Sequence, residues 1–232
     1  MITLRTSDQR RHIRNSGQDT WRTFDPENAT DPFHAGFHSL ESLNEEGLDP
    51  GASFLLHPVK DLEILTYVWK GALIQEDSAG GSSVLEAGEC GRSRAPQGLP
   101  HRTINGSLID QAHAFQCWIT PDQKHPEART EKKRFPLADR RGILRLMGSP
   151  DGKDASLRVQ QDIRVFSSLL DPGHHLVHEL TPGRSAWLHV VKGKILLVDQ
   201  TLRGGDGASL VAEPAVSLTA REPSEILLFD LP

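Results

Sequence analysis

The sequence is short of most features that assign a function at sight. It has two cysteines in 232 residues, Cys90 and Cys117, too few for a disulfide framework. One bridge between them stays open, and the favoured reading is a pair of reduced thiols in a cytoplasmic protein. No stretch approaches the ~18 consecutive apolar residues of a membrane span, and Met1–Asp8 is followed by a polar, basic run, not by the apolar centre of a leader. The chain therefore reads as cytoplasmic, with no membrane partner. Positive charge is not in excess: 26 Lys and Arg against 31 Asp and Glu give a net charge of -5 and a pI near 6.1. That argues against a general nucleic-acid binder dependent on phosphate neutralisation, though a net figure leaves a local basic patch open, and no direct nucleic-acid binding is expected. No long helical stripe is present, and no Ser-His-Asp set can be read. The run Gly204-Gly205-Asp206-Gly207 lacks the strand, helix and Lys-Ser/Thr context of a phosphate cradle, so it predicts a hairpin turn.

What is present is short and repetitive. With 37% hydrophobic residues a packed core is within reach. The runs Ile64–Trp69, Ala114–Ile119, Trp187–Val191 and Glu225–Phe229 are strand-length, rich in β-branched and aromatic residues, and bounded by turn formers, which predicts an all-β sandwich or barrel. From Pro121 to Arg141 the text is charged and interrupted by proline. The predicted division is residues 1–121, a linker over 122–142, and residues 143–232. The basic cluster Lys132, Lys133, Arg134, Arg140 and Arg141 then reads as a solvated linker face, with a docking patch as the alternative. Across the linker there is an echo: Tyr67-Val68-Trp69-Lys70-Gly71-Ala72-Leu73-Ile74 and Val190-Val191-Lys192-Gly193-Lys194-Ile195-Leu196-Leu197 both place Lys-Gly at the turn of an apolar hairpin.

Several of these segments occur together in a known pattern. Thr20-Trp21-Arg22-Thr23-Phe24, Asp31-Pro32, Gly36-Phe37, His57-Pro58 with Asp61–Tyr67, Asp77-Ser78, Ala87-Gly88-Glu89, Gly98 with His101, Gln116–Ile119 and Leu227–Leu231 resemble the pirin-like bicupins over nearly the whole length. This group includes the bacterial quercetin 2,3-dioxygenase-type proteins. The resemblance implies an all-β bicupin: two jelly-roll-like β-barrels packed face to face, with one metal in the N-terminal barrel. It also implies the ligand set, His-x-His from a first motif and His-x-Glu from a second. Carried over, those positions are His57, Val59, His101 and Thr103. Two match.

The mismatches matter because of what a transition ion needs. Residues two apart on a strand share a face, so each motif aims a pair of side chains into the barrel. Iron, nickel, copper and zinc take three or four nitrogen or oxygen donors, often two His and a carboxylate. Valine has no lone pair to give, and a threonine hydroxyl is a poor neutral ligand. By strand parity Glu63 shares a face with His57 and Val59 if no bulge intervenes, so a rebuilt site of His57, Glu63 and His101 is the alternative. The plainer reading makes both histidines barrel residues hydrogen-bonded to neighbours such as Asn105. Pro96, Gly98 and Pro100 set a turn in either case. Arg92 and Arg94 share a face if their segment is a strand; they read as surface residues, or as pocket cations for an anionic ligand. His174, His175 and His178 read as loop and edge-strand histidines.

The function expected first is therefore a non-catalytic ligand-binding or regulatory protein. It has no cofactor, a small-molecule ligand in the N-terminal barrel or a protein partner, and no residue in a catalytic role. The second reading is a metal-dependent quercetin 2,3-dioxygenase-type oxygenase holding one divalent ion (Fe, Ni, Cu or Zn). The third is a structural or interaction protein with a closed pocket.

Overall fold

A computed structural model of the chain describes every residue except 57–60, 78–79, 95–100 and 123–128, and for 56, 77, 101 and 129 the backbone alone. It is nearly all β and divides into two units, Arg11–Arg134 and Met1–Arg10 with Phe135–Pro232. The chain opens with β1 (Ile2–Arg5). The first unit then holds β2 (Arg11–Asn15), β3 (Gln18–Arg22), β4 (Leu40–Leu48), β5 (Ser53–Leu56), β6 (Glu63–Lys70) and β7 (Ala72–Asp77). It continues with β8 (Ser82–Glu86), β9 (Glu89–Arg94), β10 (His101–Asn105), β11 (Ala112–Ile119) and β12 (Arg129–Arg134). The second unit adds β13 (Arg145–Ser149), β14 (Leu157–Arg158), β15 (Arg164–Leu170), β16 (His175–Glu179) and β17 (Ser185–Lys192). Its last strands are β18 (Lys194–Leu197), β19 (Gln200–Arg203), β20 (Gly207–Leu210), β21 (Ala215–Ala220) and β22 (Ser224–Leu231).

The two units repeat one topology. The first has a seven-stranded sheet, β12-β9-β6-β11-β4-β3-β2, and a four-stranded sheet, β5-β10-β7-β8. The second has β1-β20-β17-β22-β15-β13-β14 and β16-β21-β18-β19. Read in parallel, β6 answers to β17, β7 to β18, β10 to β21 and β11 to β22. Both edges depart: β12 follows β11 in the chain whereas β1 opens it, and β14 pairs parallel with β13 while β2 pairs antiparallel with β3. The Lys-Gly echo is the β6–β7 and β17–β18 turn. Gly71 and Gly193 have φ of 73° and 86°, the left-handed region where glycine carries no steric cost. A Cβ on Gly193 would also lie 2.4 Å from the Pro223 carbonyl.

The central strands explain their own composition. All eight residues of β22 are buried, and so are Glu63–Val68 of β6. A strand covered on both faces loses the in/out alternation and reads as a continuous apolar run. The second unit's core gathers Leu188, Ile195, Leu197, Leu218, Ile226 and Leu228 between its sheets, each such side chain contributing about 1.5–3 kcal/mol on burial.

Two boundaries differ from the sequence-based division. β1, the first strand of the chain, is an edge strand of the second unit, in register with β20 from Ile2 opposite Leu210 to Arg5 opposite Gly207. Part of the expected linker is β12, which pairs along β9. Its charged text is that of an exposed edge, where lysine discourages further strand pairing. Arg134 meets Glu86 and Glu89, and Lys132 lies 3.6 Å from Glu89. Arg140 departs further from a solvated face. It is buried, its Nη1 donating to Glu225 at 2.9 Å and to Ser167 at 3.0 Å. Cys90 and Cys117 are free and buried, with burial pushing the Cys90 thiol up to about 12. The Gly204–Gly207 run is the turn between β19 and β20, where Asp206 accepts from Ser7 N and Arg203 N, each at 2.7 Å. No helix among the described residues is long and apolar enough to cross a membrane.

Candidate functional site

The interior of the first unit lies between the face of β6 that carries Val68 and the face of β7 that carries Leu73, both members of one apolar cluster. Alternation along β6 puts Thr66 on that same face. Register then fixes its neighbours: Thr66 lies opposite Gln116 on β11, and Gln116 opposite Asn44 on β4. On the facing sheet Gln75 lies opposite Thr103. The two sheets are joined here by Gln75 Nε2, which donates to Thr66 Oγ1 at 3.3 Å. One layer of the interior thus consists of Thr66, Gln75, Thr103 and Gln116. Thr66, Thr103 and Gln116 are 0–1% exposed, yet Thr103 Oγ1 and both amide atoms of Gln116 have no hydrogen-bond partner among the described residues.

The second unit shows what the same layer looks like when it is simply filled. Thr66 and Gln75 stand five residues before and four after Gly71; Leu188 and Leu197 stand likewise about Gly193. Leu188 pairs with Leu228, and Leu197 with Leu218. The four positions are therefore all leucine there, each 0–1% exposed and packed in one cluster. The first unit carries four polar residues where the second carries four leucines. Unsatisfied buried polar groups cost about 1–3 kcal/mol each, so the layer is a liability for packing alone.

A cavity of about 440 Å³ opens on the same face of the large sheet. Arg22, Ser42, Asn44 and Trp118 line it, with His34 and His38 from the connection between β3 and β4. Asn44 is the register neighbour of Gln116, and Trp118 is the next inward residue along β11. Burial holds the His38 imidazole below its usual range. His34 Nδ1 donates to the Asp31 carbonyl at 2.8 Å. Deeper, Glu46 is 4% exposed and accepts from Thr20 Oγ1 at 2.6 Å and Gln18 Nε2 at 2.9 Å. Burial is the main cause that pushes its carboxyl up to about 7.

The structure sorts the other predicted residues. His57 and Val59, and the turn residues Pro96, Gly98 and Pro100, lie outside the described residues; of His101 the backbone alone is described, opposite Leu56 and Asp77. Glu63 does not share the interior face. Asp61 has φ 60°, which interrupts the alternation assumed between His57 and Glu63, and Glu63 sits one residue out of phase with Ile64, Thr66 and Val68. Its carboxylate is 0% exposed and accepts from Arg92 Nη1 at 2.7 Å. Arg92 and Arg94 are 1% and 5% exposed, against the surface expectation, and face with Glu63 away from the interior. Asn105 is a turn residue: its amide donates to the carbonyls of Leu48, Asp49 and Asp110, and its Oδ1 accepts from Ser107 N. His175 and His178 belong to the edge strand β16, pairing with Thr219 Oγ1 and Asp230 at 3.0 Å each. Among the described residues no three His, Cys, Asp or Glu side chains are grouped to hold a metal.

Sequence reasoning passed over Thr66, Gln75 and Gln116. The signal was there: Ala-Phe-Gln-Cys-Trp-Ile carries a polar residue where the equivalent Glu-Ile-Leu-Leu-Phe carries leucine.

Comparison with known proteins agrees with this architecture. The family model described as Pirin matches residues 5–119, and the one described as Quercetinase C-terminal cupin domain matches residues 146–231. A protein named quercetin 2,3-dioxygenase from Escherichia coli strain K12 is 36% identical over 232 residues, covering 100% of this chain and 99% of the relative. A pirin-like protein of Caulobacter vibrioides is 30% identical over 201 residues, 86% of each. Among solved structures, YhhW from Escherichia coli superposes with a TM-score of 0.93 at 36% identity, over 100% of this chain and 98% of that one. The nickel(II) complex of bacterial pirin YhhW gives 0.90 at 33% identity, over 100% and 99%.

Proposed function

The chain belongs to the pirin family of bicupins, and within it we propose that this member is a metal-independent binding protein whose N-terminal barrel takes a small, neutral, hydrogen-bonding molecule. One observation carries the proposal: the interior layer that is four leucines in the second unit is Thr66, Gln75, Thr103 and Gln116 in the first, with Thr103 and Gln116 buried and open to new partners.

The donor set does not fit the family's ion. Thr103 stands where a carboxylate is expected and offers a neutral hydroxyl; Val59 offers nothing. Glu63, the one carboxylate that parity suggested as a substitute, faces away from Thr66 and Gln116 and is engaged by Arg92. Two imidazoles without a charged partner leave a divalent ion short of ligands and of compensating charge. No oxygenase step follows from such a set. A hydroxyl and a primary amide, by contrast, donate and accept with uncharged groups, and a neutral ligand enters such an interior without the desolvation cost of an ion.

Quercetin is a suitable probe, being neutral in part, aromatic and rich in hydroxyls. Titrated into chelator-treated protein, it is expected to bind with an affinity that added iron or nickel leaves unchanged, and to be recovered intact. Metal-dependent ring cleavage at a stoichiometric metal load would return the protein to the oxygenases.

A further inference from the structure

The second unit has a cavity of its own, of about 530 Å³, that the function proposed above does not use. It lies beside β13 and β15, with the 3-10 turn Lys153–Ala155 as its other wall. We infer that it is a second ligand site, for a small apolar molecule bearing one carboxylate.

Register and topology make the room. Leu146 lies opposite Phe166, and Phe166 opposite Leu228. In the first unit Arg22 lies opposite Asn44, and Asn44 opposite Gln116. Leu228 answers to Gln116, so Leu146 and Phe166 stand where Arg22 and Asn44 line the first unit's cavity. The second cavity stays open because its sheet stops short. β2 runs along the whole of β3, whereas β14 meets β13 only at Gly148 and Ser149, past Leu146. Every lining residue belongs to the second unit, all of whose residues are described.

The lining sets the chemistry. Leu144, Leu146 and Phe166 form an apolar wall, with Ile143 exposed at the rim, and the volume falls within the range of small-molecule sites, about 300–1,000 Å³. Covering that wall favours an apolar body. Arg145 supplies the charge. Its Nη2 donates to the Asp154 carbonyl at 2.7 Å, and its guanidinium lies 5.9 Å from the centre of the Phe135 ring. Both partners are uncharged, and its Nε has no hydrogen-bond partner among the described residues. A carboxylate gives this guanidinium the charge-assisted hydrogen bond that neither contact provides. Lys153 also lines the cavity but acts on Asp151 as well, so Arg145 is the anchor. The facing wall is strained: Asp154 and Ala155 have φ of 52° and 56° without being glycine, and both are exposed. Burial does not offset that strain, and strain of this kind gathers at ligand clamps.

Calorimetric titration of the full chain with 2-naphthoate, and with the neutral 2-naphthylmethanol, tests the site. One equivalent of 2-naphthoate is expected to bind, at least about tenfold more tightly than the alcohol. Arg145→Met should weaken 2-naphthoate by at least about tenfold and leave the alcohol unaltered. Ile143→Trp fills the cavity from an exposed rim position and should abolish binding of both probes. It also guards against an Arg145→Met variant that does not fold. Thr103→Val, in the first barrel, should change neither affinity. Absence of 2-naphthoate binding at millimolar concentration overturns the inference, as does equal affinity for the two probes. Undiminished 2-naphthoate affinity in Arg145→Met or Ile143→Trp overturns it too, and so does its loss in Thr103→Val, which would put the probe in the other barrel.

Discussion

Replacing Thr103 by valine removes one oxygen from a fully buried side chain and almost nothing else. That hydroxyl has no partner among the described residues, so its loss should relieve about 1–3 kcal/mol of desolvation cost. Gln116→Met makes the matching change on the facing sheet, exchanging an unsatisfied amide for an apolar chain of similar length. Both move the first unit toward the leucine layer of the second. Each variant should therefore raise stability by about 1–3 kcal/mol, while a ligand held through these groups loses about 1.4 kcal/mol, or tenfold in affinity, per hydrogen bond. Urea unfolding followed by tryptophan fluorescence measures the first effect, since Trp21, Trp69 and Trp118 lie in the first unit and Trp187 in the second. Quercetin titration measures the second. Stability and affinity should move in opposite directions. If Thr103→Val lowers stability by 1 kcal/mol or more and leaves quercetin affinity unaltered, the polar layer is packing and not a binding surface.

Four further outcomes follow from other residues. Val59→His with Thr103→Glu should restore the missing donors and raise nickel(II) affinity well above that of the unmodified chain by calorimetry. Glu63→Leu should cost about 3–5 kcal/mol in urea unfolding by leaving Arg92 without its partner, and it should leave metal content unaltered. Glu46 gives a pH dependence: its folded carboxyl is raised from 4.5 to about 7, so its contribution is fully present below pH ~4.5 and lost as pH rises through ~7. The loss is about 3 kcal/mol at most, and Glu46→Gln should flatten it in a stability–pH series. Gly193→Ala should destabilise by more than about 1 kcal/mol, given its left-handed backbone and the nearby Pro223 carbonyl, as read from its thermal midpoint.

The fold could be read from the chain because its signals are local. Strand runs bounded by turn formers, and one Lys-Gly hairpin seen twice, anticipate a duplicated topology that the sheet orders bear out strand for strand over most of both units. Non-local pairings left no such trace. Ile2–Arg5 is an ordinary tetrapeptide alternating apolar and polar residues, and nothing in it announces its distant partner β20. Parity arguments proved as fragile as the alternation beneath them: one left-handed residue, Asp61, turns Glu63 away from the interior. Composition also misled at Arg92 and Arg140, because an arginine reads as solvent-exposed unless the carboxylate that accompanies it into the core is visible. Asn105, offered as a pocket residue, holds a turn instead. The polar layer went unseen because each of its members is commonplace alone, and only the leucine set in the other unit gives it meaning.

Elemental analysis of the chain, purified without chelator and equilibrated with one equivalent of nickel(II) or iron(II) before gel filtration, addresses the metal-independent assignment most directly. The protein should emerge without a stoichiometric ion. One firmly retained metal per chain, lost on substituting His57 or His101, would contradict it.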